Sequence, residues 1–185
     1  MNKVIKKIAI EDYTLTDKEL ESYKETLREI KRISLTYFND LLDKNKFGFD
    51  FANCTLRELH NFIKQSLRYV SDPKGIEHVT RAKLSLDLAN TDKYYPLDCD
   101  DKSVLVISWL LLQNFLITGS IESPYKIYLV VAGRKNRPHH VYPRVSLPGV
   151  LDKYNIDSTY PKNELGTDLF PENFKEEYFL FSDIK

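Results

Sequence analysis

"DCDDKSVLVISWLLLQNFLITG", residues 98–119, decides how the rest of the chain is read. Two aspartates flank Cys99, a third follows, and an apolar run then leads to Gly119. The pattern from Asp100 to Phe115 predicts a helix. Asp100 and Asp101 complement the dipole in its first turn, and Gly119 is placed to stop it. A cysteine at such a helix start faces unpaired backbone N–H groups and the positive end of the dipole, which favour the thiolate. Asp98, Asp100 and Asp101 oppose that if they point at the sulfur. A nucleophilic Cys99 therefore needs a basic partner, most simply an imidazole.

Working outward, residues 16–48 open with Thr16 and Glu19 at capping-box spacing. Leu20, Tyr23, Leu27, Ile30, Tyr37, Leu41 and Leu42 then recur at three- and four-residue intervals, predicting a long amphipathic helix to residue 45. Thr55 and Glu58 repeat the cap before a stripe of Leu56, Leu59, Phe62, Ile63 and Leu67, a second helix ending near "SDPKG" (71–75). Residues 75–95 are weakly periodic and read as a short helix with an irregular approach to Cys99. Beyond Gly119 the runs "YKIYLVVAGR" (125–134), "HHVYPRVSL" (139–147) and "EEYFLFSD" (176–183) have strand texture. Helices grouped before strands predict an α+β fold, an antiparallel sheet packed on the central helix. The expected division is a helical extension over 1–50 and a core over 51–185.

Lys plus Arg and Asp plus Glu both total 27, so net charge gives no case for nucleic acid or an anionic membrane surface. The start lacks a signal-peptide pattern, and "SVLVISWLLLQNFLI" (103–117) falls short of the ~20 apolar residues of a membrane span. A soluble protein of the cytoplasm is expected. Cys54 and Cys99, the two cysteines, have no C-x-x-C spacing, so each is read as a free thiol, Cys54 as a structural one. An acid cluster at a helix start is more often capping than a metal set, so no metal and no cofactor is expected.

His139 and His140 begin a predicted strand, where alternation turns one toward the helix and the other away. "YNIDSTYP" (154–161) supplies Asp157 as an orienting acceptor for the imidazole. Arg134, Lys135 and Arg137, just upstream, could rim a cleft and favour an acidic substrate. Tyr94, Tyr95 and Trp109 are candidates for lining it.

"DCDDKSVLVISWLL", "HHVYPRV" and "NIDSTYP" resemble, in that order, three blocks of the transglutaminase-like cysteine hydrolase superfamily, most closely its small phage and bacterial versions. "YVSDPKGIEHV" resembles their lead-in, so the resemblance covers residues 69–166. Leu97 stands where a small residue commonly precedes the Asp-Cys pair. The resemblance implies a papain-like core with Cys99 as nucleophile, His140, directly before "VY", as general base, and Asp157 as orienter. It implies attack on a protein or peptide amide through a thioester. The rival expectation is a phage virion or assembly protein that uses the fold for binding, with other phage structural proteins as partners, in the host cytoplasm or the virion.

Overall fold

The computed structural model describes residues 15–18, 22–43, 47–73, 77–91, 97–135, 137–167 and 172–185. In chain order these form β1 (Leu15–Lys18), α1 (Tyr23–Tyr37), a 3-10 turn (Phe38–Leu42), α2 (Leu56–Ser66), β2 (Glu77–Thr80), α3 (Ala82–Thr91) and α4 (Cys99–Thr118). The second half adds β3 (Lys126–Arg134), β4 (Arg137–Ser146), β5 (Lys153–Asn155) and β6 (Phe174–Phe179). The fold is α+β.

α4 is apolar on all sides, and so it is enclosed on all sides up to Leu112, its last turn from Phe115 being exposed. Val104 to Leu112 are buried without a break. The helix shares one continuous core with Ile127, Leu129, Val131, Val141 and Val145 of the sheet and with Leu27, Ile30, Ile33, Leu59 and Ile63 of α1 and α2. Residues 23–42, expected as an extension, thus contribute Leu27, Ile30, Ile33 and Leu41 to the same core as the rest. α4 is the one described helix long and apolar enough to cross a membrane, yet 72% of its apolar window is buried inside the protein. The helix extends further than the apolar run alone suggests, because Cys99 begins it and Gly119, at φ 75°, ends it by donating its N–H to Phe115 O at 2.8 Å.

Local signals succeeded where tertiary pairing did not compete with them. Thr55 and Glu58 form the reciprocal cap of α2. Thr16 instead lies in β1, paired antiparallel with β2 (Leu15 opposite Thr80), and α1 starts only after Ser22; Glu19 lies outside the described residues. α2 stops at Ser66, short of "SDPKG", because Val70 turns extended and exchanges two backbone hydrogen bonds with Leu97, at 3.2 and 3.0 Å. That bridge fixes the entry of the chain into α4. Residues 77–91, read as a short helix, hold β2 as well as α3.

The main sheet is antiparallel, in the order β5-β4-β3-β6. Ala132 pairs with His140 but Gly133 with Pro138, so His139 is the extra residue of a β-bulge. Gly133 permits it: a Cβ there would lie 1.8 Å from Arg137 O. β5 covers only Arg144–Ser146 of β4. Past Asn155 the chain leaves the ladder, Ile156 still donating to Pro143 O at 2.8 Å, and so delivers Asp157 beside the uncovered stretch of β4.

Candidate active site

Cys99 is half-buried at the first position of α4. Asp98, not Asp100, is the capping residue: its Oδ1 accepts from Asp100 N at 3.3 Å, and Asp101 Oδ2 accepts from Asp98 N at 3.2 Å. The first turn is docked on β4 through Ser103, one turn after Cys99. The Ser103 hydroxyl donates to Cys99 O at 2.6 Å and lies 3.4 Å from Val141 O. Burial, and after it the Asp98 carboxylate, push the Cys99 thiol well above its ordinary value.

His140, the residue before Val141, is buried, and its Nε2 lies 2.9 Å from Asp157 Oδ2. An ionised Asp157 accepts from Nε2–H, leaving Nδ1 as the basic nitrogen of the ring. Asp157 is wholly buried and held in place. Asn163 Nδ2 donates to Oδ2 at 2.7 Å, Thr159 N donates to Oδ1 at 3.0 Å, and His60 Nε2 reaches the Asp157 carbonyl oxygen at 3.3 Å. Lys64, one turn beyond His60 on α2, donates to Asn163 O at 2.6 Å. Tyr160 meets the imidazole edge-on at 5.4 Å between ring centres, and Tyr142 is tilted against it at 5.6 Å. His139 is exposed on the bulge.

His60, Asn163, Tyr160 and Lys102 were not foreseen. His60 and Lys64 stand four residues apart beside the apolar stripe of α2, a spacing that aligns them on one face but does not reveal what they meet. Lys102 lies one turn after Cys99 and is only 3% exposed. Burial lowers its ammonium pKa to about 8, against the pull of Asp157 and Cys99.

A cleft of about 640 Å³ opens at His140, lined among others by Lys64, Arg68, Tyr69, Lys102, His139 and Tyr160. Arg134, Lys135 and Arg137 do not line it; they occupy the β3–β4 hairpin end. Trp109 is a core residue, donating Nε1–H to Phe51 O at 2.8 Å, and Tyr94 and Tyr95 lie outside the described residues.

The carboxylates of Asp98, Asp100 and Asp101 lie within 4.8 Å of one another and are the group of described side chains that could hold a cation. Four of their oxygens are engaged by backbone N–H groups, while Asp100 Oδ2 is buried without a hydrogen bond among the described residues: besides the two capping bonds, Asp101 N donates to Asp100 Oδ1 and Thr80 N to Asp101 Oδ1, each at 2.8 Å. Burial raises the Asp100 and Asp101 carboxyls well above their ordinary range. The cluster thus acts as a helix cap and a tie to β2.

The class defined here is an α+β protein with a cysteine at a helix start, packed on a strand whose buried histidine pairs with an aspartate from the chain after β5. Comparison of the chain with protein-family models, with characterised proteins and with solved structures gives no match.

Proposed function

We propose that the protein is a transglutaminase-like cysteine amide hydrolase or acyl transferase acting on protein or peptide substrates. The observation that supports this reading is the buried His140–Asp157 pair, 2.9 Å apart, with His140 on the strand against which Ser103 holds the first turn of the Cys99 helix. Because the resting thiol is protonated, its proton passes to His140 Nδ1 as the sulfur attacks the amide carbonyl. The C–S bond forms, the C–N bond breaks, and His140 gives the proton to the departing amine. Water then releases an acid, by proteolysis or deamidation, or a second amine takes the acyl group, and the thiol is regenerated. The Cys99 N–H, at the first helical position, has no acceptor within the helix and suits the developing oxyanion.

The raised thiol favours a second reading: a phage virion or assembly protein, in the host cytoplasm or the particle, that binds other structural proteins through the same fold with a dormant triad. Labelling with a peptide vinyl sulfone separates the two. The enzyme reading expects modification of Cys99 at neutral pH, lost in both Cys99→Ala and His140→Ala, with circular dichroism unchanged. Labelling of Cys99 only at alkaline pH, indifferent to His140→Ala, would leave the binding reading.

A further inference from the structure

The cleft at His140 carries cations and no acids. Lys64, Arg68 and Lys102 line it, His139 stands on the bulge at its edge, and no Asp or Glu is among its described lining residues. Lys64 is committed to Asn163 O. Arg68 is exposed and makes no hydrogen bond or ion pair with any described residue. Lys102 is the more telling group. Its ammonium has three donors, and its one hydrogen bond among the described residues is a long one, 3.4 Å to Ser158 O. The carboxylate of Asp157 is already occupied by His140, Asn163 and Thr159. A buried ammonium with unused donors, in a cleft open to solvent, is in place to receive an anion from outside. Tyr69 and Tyr160 line the same cleft, giving flat apolar surface for a peptide backbone.

We propose that this cleft binds an acidic peptide segment, the carboxylate of one side chain bonding Lys102 and a further acid meeting Arg68 at the rim. Lys102 is thereby a specificity residue. The proposal rests on the acyl-transfer reading only for the role of the peptide, which is the acyl donor; the binding itself needs no thiol. Lys102 sits one turn beyond Cys99 on α4 and shares the cleft with His140. A peptide anchored on it presents the amide nearest its acidic residue to the nucleophile.

Binding is measured in full-length Cys99→Ala protein, which forms no acyl-enzyme. The probes are acetylated, amidated hexapeptides that differ only in carrying Glu, Gln or Lys at two adjacent central positions. Amide chemical shifts in a nuclear magnetic resonance titration give both affinity and location. The expected result is that the Glu peptide binds about tenfold or more tightly than the Gln peptide, as charge-assisted bonds imply. It should perturb Tyr69, Ser158 and Tyr160, and weaken as salt is raised. Lys102→Met, which keeps the stem and removes the amine, should abolish the Glu preference; Arg68→Gln, on the exposed rim where folding is safe, should reduce it severalfold. Equal affinity for Glu and Gln peptides, tighter binding of the Lys peptide, no binding of any peptide, or a Glu preference untouched by Arg68→Gln would each overturn the proposal. Failure here leaves the vinyl sulfone labelling of Cys99 unaffected, and loss of that labelling leaves this binding unaffected, so the two readings fail separately.

Discussion

The Asp98 carboxylate caps α4 and also, after burial, does most to hold the Cys99 thiol protonated. Asn caps as well as Asp, so Asp98→Asn separates the two effects. Alkylation of Cys99 by iodoacetamide should then set in at lower pH and proceed several-fold faster at neutral pH, with Cys54, pushed up to about 11 by burial, as the silent internal reference. An unchanged pH profile would show that Asp98 does not act on the sulfur. Asp100 lends itself to a stability measurement. Burial raises its carboxyl well above 3.8 in the folded state, so its proton contributes stability that is complete below that value and is lost as pH rises through the folded one. Asp100→Asn keeps an acceptor for Asp101 N–H and removes the titration. It should stabilise by about 1–3 kcal/mol at pH 7, a rise of several degrees in melting temperature, and by nothing below about pH 4. A gain independent of pH would contradict the sign of this argument.

At the scale of elements, the bulge in β4 sets where the imidazole stands. Gly133→Ala brings a Cβ against the Arg137 carbonyl, so the hairpin must open or the bulge must move. A loss of about 1–3 kcal/mol, with a shifted His140 imidazole resonance, is the expected outcome. An unaltered resonance would detach the bulge from the site. The sequence carried signals of unequal reach. The Thr55–Glu58 cap is settled within one turn and was legible, whereas the same spacing at Thr16–Glu19 yielded to pairing between Leu15 and Thr80. Three strands announced themselves by β-branched and aromatic runs, but β5, three residues long, has no room for a pattern. Cys99, the His139–His140 pair and Asp157 could be singled out from residue type and chain order, but the choice of His140 came from the resemblance of "HVY" to a family block. His60, Asn163 and Lys102 could not, because what each one meets is decided by which element packs opposite.

Across the whole molecule, α4 shares one core with the other helices and the sheet, and the site is drawn from four stretches: α2, the start of α4, β4 and the chain after β5. Between β4 and β5, Leu151 stands fully exposed at 102%. Loop tips of this kind are the preferred points of proteolytic entry, so thermolysin should cut first at the Val150–Leu151 bond. The shorter piece would carry Asp157 and β6, and β6 pairs with β3 along its whole length, from Phe174 to Phe179, at the edge of the sheet. The two pieces should therefore elute together on gel filtration; separation would show that the sheet cannot hold them. Two separately produced halves, one bearing the thiol and the imidazole and the other the carboxylate, would then make a protein whose His140–Asp157 pair is assembled by mixing.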